Sequence, residues 1–102
     1  MSVASDKWMS MVASVGCCVC RRIGNGFTPA QVHHIASGSS LRSDFSVAPL
    51  CHEHHTGPTG LHGMGVKKFI VMYRLPGESE YGLLVWVNED IAKHLLNIGA
   101  KR

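Results

Sequence analysis

The chain has 102 residues, 45% of them hydrophobic and 17% charged, which fits one globular domain with a modest core and excludes a disordered chain. A net charge of +3 with neutral histidines is compatible with a phosphate-bearing partner but does not by itself indicate one. The longest apolar runs, Phe69–Tyr73 and Leu83–Val87, are too short to span a bilayer, and the N-terminus lacks the basic-then-apolar plan of a signal peptide, so no membrane partner and a cytoplasmic location are expected.

Taken in order, Ser5 is placed to cap a first helix over about 5–15. There Trp8, Met11, Val12 and Val15 recur at helical spacing, and Gly16 provides the stop. Cys17-Cys18-Val19-Cys20 follows directly, then Arg21-Arg22 and a Gly24-Asn25-Gly26 turn. Gln31–Ala36 reads as a short strand through Val32 and Ile35. Gly38–Ser43 is a polar loop that could carry Arg42 to a ligand. Phe45–Leu50 reads as a second strand, with Pro49 marking an edge or an end.

The stretch Val47–His62 holds one cysteine and four histidines, His52, His54, His55 and His62. Imidazoles are poor core fillers, and their usual work is metal binding or proton transfer. From Met64 the pattern is helical, with Val66, Phe69, Ile70 and Tyr73 on one face and Lys67, Lys68 and Arg74 elsewhere. Pro76-Gly77 stops it. Tyr81–Val87 fits a strand or the approach to a helix. Asn88 is placed as the cap of a last helix over about 88–98, which uses Ile91, Ala92, Leu95 and Leu96 and closes at Gly99.

Two constellations carry chemistry. Cys17-x-x-Cys20 and Cys51-x-x-His54 are knuckle-like pairs that can grip one tetrahedral ion from two sides, and a structural zinc is expected there. Free thiols, or a site emptied in this protein, are the alternative. Cys18 is left as a small buried filler, and the redox reading of Cys-x-x-Cys lacks a strand-then-helix context. Four histidines remain: His33, His34, His55 and His62. Neighbours on a strand face opposite ways, so of His33 and His34 one can bind a metal while the other serves as a general base toward water. His55, near a helix, and His62, beyond a glycine loop, can each add an imidazole. Taken singly, each of these histidines has a bland reading as a half-buried or solvent residue.

The sequence Val32-His33-His34-Ile35 followed by Pro49-Leu50-Cys51-x-x-His54-His55 resembles the HNH, or ββα-metal (His-Me finger), endonucleases. With the earlier Cys-x-x-Cys, the Gly26–Ile35 segment (GFTPAQVHHI) and the later Leu61-His62, the chain looks most similar to the phage and prophage Ref-type recombination-enhancement nucleases, described as RecA-dependent. The resemblance covers roughly Met9 to Tyr73. It implies an α+β fold: a small zinc-stabilised ββα-metal domain over 1–102, with a metal core about 17–74 and flanking N- and C-terminal helices.

It also implies a DNA endonuclease acting in phage or prophage recombination inside a bacterial host, by a one-metal mechanism. His33, His55 and His62 would hold a catalytic Mg²⁺ or Mn²⁺, and His34 would be the general base. The metal would stabilise the phosphorane and the departing 3′ oxygen, leaving 5′-phosphate and 3′-hydroxyl ends. Arg42, Lys67 and Lys68 are candidates for phosphate contacts from charge and nearness, against a solvated-surface alternative. The family's asparagine position falls on Ser46. His62 lies three residues farther on than a one-turn helical pair with His55 would place it, so it would either reach the metal from a bulged loop or stay outside the site. The chain starts almost at the nuclease segment, without the basic N-terminal stretch linked to RecA in the family, so DNA is the firmer partner and a RecA–DNA filament the weaker. A zinc-stabilised nucleic-acid-binding module without cleavage is the alternative function.

Overall fold

A computed structural model describes residues 2–35 and 42–96. Its elements are α1 (Val3–Val15), α2 (Cys18–Arg22), β1 (Gln31–His34), β2 (Val47–Leu50), α3 (His52–His55), α4 (Leu61–Met64), α5 (Val66–Tyr73), a 3-10 turn (Pro76–Glu78) and α6 (Gly82–Leu96). The architecture is α+β, with one two-stranded antiparallel sheet among helices.

The first helix starts earlier than the sequence suggests. Ser2, not Ser5, is the cap: its hydroxyl accepts from the Ser5 amide at 3.0 Å, and Ser5 hydroxyl reaches back to the Ser2 carbonyl at 3.1 Å. Ser5 fills the third helical position of a capping box and is itself buried. Gly16 ends the helix at φ 92°, where a Cβ would meet the Phe27 ring at 2.7 Å, so the chain turns at once into Cys17.

The hairpin is shorter than expected on both sides. Within the described residues β1 runs only to His34, and Ala36, with loop positions 38–41, falls outside them. β2 begins at Val47; Phe45 sits in the preceding turn, exposed, 6.3 Å from the Trp8 ring. The register pairs Gln31 with Leu50, Val32 with Pro49, His33 with Ala48 and His34 with Val47. The Ile35 amide donates to the Ser46 carbonyl at 2.9 Å, so the alternation of an antiparallel ladder makes Val32–Pro49 a pair without mutual hydrogen bonds. Pro49 therefore costs the ladder no donor, which explains a proline in a strand whose four residues are all buried.

The largest departure is at the C-terminal end. Tyr81–Val87 is not a strand and Asn88 is not a cap: Gly82–Leu96 is one helix with Asn88 exposed inside it. Leu83, Val87 and Ile91 recur every four residues on its buried face, and that packing overrides the strand preference of a β-branched run. Glu89 and Asp90 consequently do not serve a helix start. Arg22 of α2 instead ion-pairs with both, at 2.9 Å to Asp90, and its guanidinium lies over the Trp86 ring at 5.1 Å. Gly99 is outside the described residues.

Two buried clusters result. One gathers the four cysteines with Ile35, Leu50, Leu61, Phe69, Leu75 and Leu83; the other joins Val12 and Val15 of α1 to Val47, Val87 and Ile91. β2 lies at their junction, contributing Ala48 and Leu50 to the first and Val47 to the second.

Candidate metal centres

Two short helices, with the residue before each, deliver the first centre. Cys17 is the residue before α2, and its sulfur accepts from the Cys20 amide at 3.4 Å. Cys51 stands before α3, and His54 occupies the last turn of that helix. Cys17, Cys20, Cys51 and His54 are all buried, and their donor atoms all lie within 4.8 Å of one another.

The distances exclude a disulfide and come close to those of a tetrahedral metal site. Cys20 and Cys51 sulfurs are 3.7 Å apart, and His54 Nδ1 is 3.6, 3.4 and 3.2 Å from the sulfurs of Cys17, Cys20 and Cys51. Zinc–ligand bonds of about 2.0–2.3 Å in a tetrahedron imply edges of about 3.5–3.8 Å. A disulfide needs its sulfurs at about 2.05 Å, which excludes one between Cys20 and Cys51. The donor set and spacing could therefore hold a metal such as zinc.

Burial pushes the Cys17 thiol up to about 12 and holds the Cys18 thiol high as well. At Cys20 burial pushes the same way, but hydrogen bonds from Thr28, Cys17, Cys51 and Asn25 outweigh it and bring the thiol below its usual range. Cys18 is buried and stands outside the donor cluster.

The second centre assembles on the neighbouring side of α3. His33 from β1, His55 from α3 and His62 from α4 offer ring nitrogens that lie within 4.8 Å of one another. Their ring centroids are 5.3 Å apart for His33–His55 and for His33–His62, and 4.9 Å for His55–His62. His62 thus reaches the cluster despite its sequence separation. The loop makes this possible through glycine: a Cβ on Gly63 would stand 1.9 Å from the Gly57 carbonyl oxygen, and one on Gly60 would stand 2.4 Å from that of Glu53. Only hydrogens fit there, so the 57–60 loop folds flat against α3 and brings α4 back.

His55 titrates below the ordinary imidazole range, first through burial and then through the neighbouring His33, His62 and His52; His54 is lowered by burial. Both are thereby kept as neutral imidazoles, the form that binds metal.

His34 projects elsewhere, as strand alternation requires. It stands outside the three-histidine group, half-buried, with Nε2 2.9 Å from an Asp44 carboxylate oxygen and Nδ1 3.3 Å from the Arg42 guanidinium. Arg42 is exposed beside it. Lys67 and Lys68 are exposed on α5, where Lys67 borders a groove of about 720 Å³ with Ile70, Val71, Arg74, Leu75 and Glu78, and no histidine lines that groove. His52 is exposed. Ser46 holds the hairpin through its carbonyl, and its hydroxyl donates to the Ile35 carbonyl at 3.4 Å.

Three partners of these histidines are absent from the sequence reading. Gln31 Oε1 is 2.8 Å from His55 Nδ1, Asp44 holds His34, and a Glu80 carboxylate oxygen lies 2.6 Å from His33 Nε2. Asp44 was within reach of local reasoning, since a hairpin folds residue 44 back toward residue 34. Glu80, 47 residues from His33, left no local signal.

No match was found among curated proteins or among solved structures. A family model described as recombination enhancement, RecA-dependent nuclease matches residues 2–92, which takes in both donor clusters, the hairpin, Glu80 and most of α6. With nine-tenths of its length matched and the thiol and histidine clusters inside that span, the chain belongs to the family of recombination-enhancement, RecA-dependent nucleases.

Proposed function

We propose that the protein is a divalent-metal-dependent DNA endonuclease of the HNH, ββα-metal type, with a structural zinc beside its active site. The observation that carries the reading is the convergence of His33, His55 and His62 from three elements, one residue away from the thiol centre at His54–His55. The order hairpin, then α3, then a returning histidine supports the ββα-metal assignment, and the family description supports cleavage of DNA in recombination.

In this reading Cys17, Cys20, Cys51 and His54 hold zinc, which ties α2 and α3 to the hairpin and contributes folding energy directly. His33, His55 and His62 hold Mg²⁺ or Mn²⁺. When bound, that ion supplies positive charge for the phosphoryl group and the departing 3′ oxygen in the transition state. His34 is the general base. The Asp44 carboxylate can only accept, so His34 carries its hydrogen on Nε2 and its Nδ1 is the acceptor, taking a hydrogen bond from Arg42 that must give way when Nδ1 takes the proton of an attacking water. Arg42, 3.3 Å from that nitrogen, is placed to hold a phosphate against the base, with Lys67 and Lys68 as further phosphate contacts.

Incubating supercoiled and single-stranded DNA with the protein and Mg²⁺ or Mn²⁺ tests this. The native chain should cut, and His34→Ala should cut about 10²- to 10⁴-fold more slowly, the usual contribution of a positioned general base. Binding without cutting by the native chain would replace the nuclease by a nucleic-acid-binding module. Repeating the assay with and without a RecA–single-stranded-DNA filament decides whether the dependence in the family's description holds for this chain.

A further inference from the structure

Glu80 lies in the turn that opens α6, far from the hairpin in sequence, yet its carboxylate ends on a histidine of the second centre. Both partners are nearly sealed from water, with side chains 6% exposed for His33 and 5% for Glu80. Burying a carboxylate is costly, and a pair of packed apolar residues of the same size would serve stability at least as well. The arrangement makes chemical sense if its purpose is the orientation of the ring.

We infer that Glu80 is a positioning residue for the divalent-ion site: it fixes the tautomer and rotation of His33 so that Nδ1 presents its lone pair to the ion. The inference rests on the proposed reading of His33, His55 and His62 as that site. A carboxylate accepts and cannot donate, so the 2.6 Å contact puts the imidazole hydrogen on Nε2 and leaves Nδ1 bare. Glu80 itself stands outside the group of mutually close donor atoms. That is the carboxylate–histidine–metal arrangement in which an outer partner orients the ligand and raises its basicity.

A second histidine repeats the device with a neutral partner. Gln31 Oε1 accepts from His55 Nδ1 at 2.8 Å, which leaves Nε2 of that ring free. The backbone around Glu80 is built to hold its place. The Leu83 amide donates to the Glu80 carbonyl at 3.0 Å and the Gly82 amide to the Ser79 carbonyl at 2.8 Å, while a Cβ on Gly82 would stand 2.4 Å from the Pro76 carbonyl oxygen. The turn before α6 is therefore part of the active site, although it carries no ligand.

The test uses the zinc-loaded full chain without DNA, with Mn²⁺ as the probe, its binding followed by loss of the free-ion paramagnetic resonance signal. Native protein should bind Mn²⁺ more tightly than His55→Ala. If those two bind alike, the divalent-ion reading fails, whatever Glu80 does. Given a real site, Glu80→Leu should weaken Mn²⁺ binding about 10- to 100-fold while keeping its zinc. Glu80→Gln, whose amide oxygen can still accept from Nε2, should recover most of that loss. Glu80→Leu binding Mn²⁺ as the native chain does, or losing zinc in step with Mn²⁺, would overturn the inference. Should Glu80→Leu fail to fold, nitrogen NMR of the native metal-free site decides: His33 protonated at Nε2 supports the role, and His33 protonated at Nδ1 overturns it.

Discussion

At the residue scale, adjacent side chains are divided between two centres. His54 faces the thiols of Cys17, Cys20 and Cys51, while the next residue, His55, faces His33 and His62. A single helical turn achieves this because successive residues on a helix point about 100° apart. The glycines behind them matter as much as the ligands. Gly63 is the sharpest case, since any side chain there would collide with the Gly57 carbonyl. Gly63→Ala should displace α4 and with it His62, weakening divalent-ion binding by at least tenfold while the thiol centre keeps its zinc. Parallel zinc analysis and Mn²⁺ titration would check this, and unchanged Mn²⁺ affinity would mean that His62 does not depend on that close approach. Which side chains gather was anticipated, Cys17, Cys20, Cys51 and His54 from their knuckle spacing and His33, His55 and His62 from the resemblance to a nuclease family. Their outer partners were not, because hydrogen bonds such as Glu80–His33 bridge segments that only tertiary packing brings together.

At the element scale, the two flanking helices show opposite balances between local and distant forces. α1 is set locally: its capping box satisfies backbone donors that otherwise have no partner, and the only correction to the sequence reading is a shift of the cap from Ser5 to Ser2. Ser2→Ala should cost about 1 kcal/mol in chemical denaturation. α6 is set by packing. Its first turns carry Leu83, Leu84, Val85 and Val87, a composition that suits a strand, and it becomes a helix because Leu83, Val87 and Ile91 seal the two clusters. Since Asn88 is an exposed interior residue and not a cap, Asn88→Ala should be neutral or slightly stabilising, within about 0.5 kcal/mol. A loss near 1 kcal/mol would mean that a helix start does lie at residue 88. Arg22 binds α2 to α6 through Asp90, whose side chain is 7% exposed. Removing the guanidinium as Arg22→Ala leaves a buried carboxylate without that partner and should destabilise by about 3 kcal/mol, measured by urea unfolding.

At the scale of the molecule, stability and chemistry depend on the same few segments. The cysteines belong to the larger buried cluster, so on the proposed reading a chelator that strips zinc should unfold the chain cooperatively, and circular dichroism should recover when zinc is returned. Acid should act in the same direction. His54 and His55 both titrate below the ordinary value of 6.5 in the folded chain, first because of burial. As pH falls, the unfolded chain takes up these protons first, so their contribution is fully present above about pH 6.5 and drains away below it. The proposed zinc would add to that slope, because thiolate and imidazole ligands must shed protons to bind it. Thermal unfolding followed from pH 8 to 5 should show a falling midpoint, and a flat profile would contradict the burial of these rings.

What the sequence alone determined is the inventory: which cysteines and histidines pair at knuckle spacing, that two neighbouring histidines on a strand must diverge, and that a short hairpin precedes a histidine-bearing turn. Those are properties of local geometry, set by a period of two on a strand and 3.6 on a helix. Only the tertiary structure decided that α6 is one helix, that a glycine loop folds His62 back onto His55, and that Glu80 reaches His33. Each of these depends on backbone approaching backbone or on a buried charge meeting its partner across dozens of residues. Such contacts carry no sequence period, and they form only when the whole core closes around them.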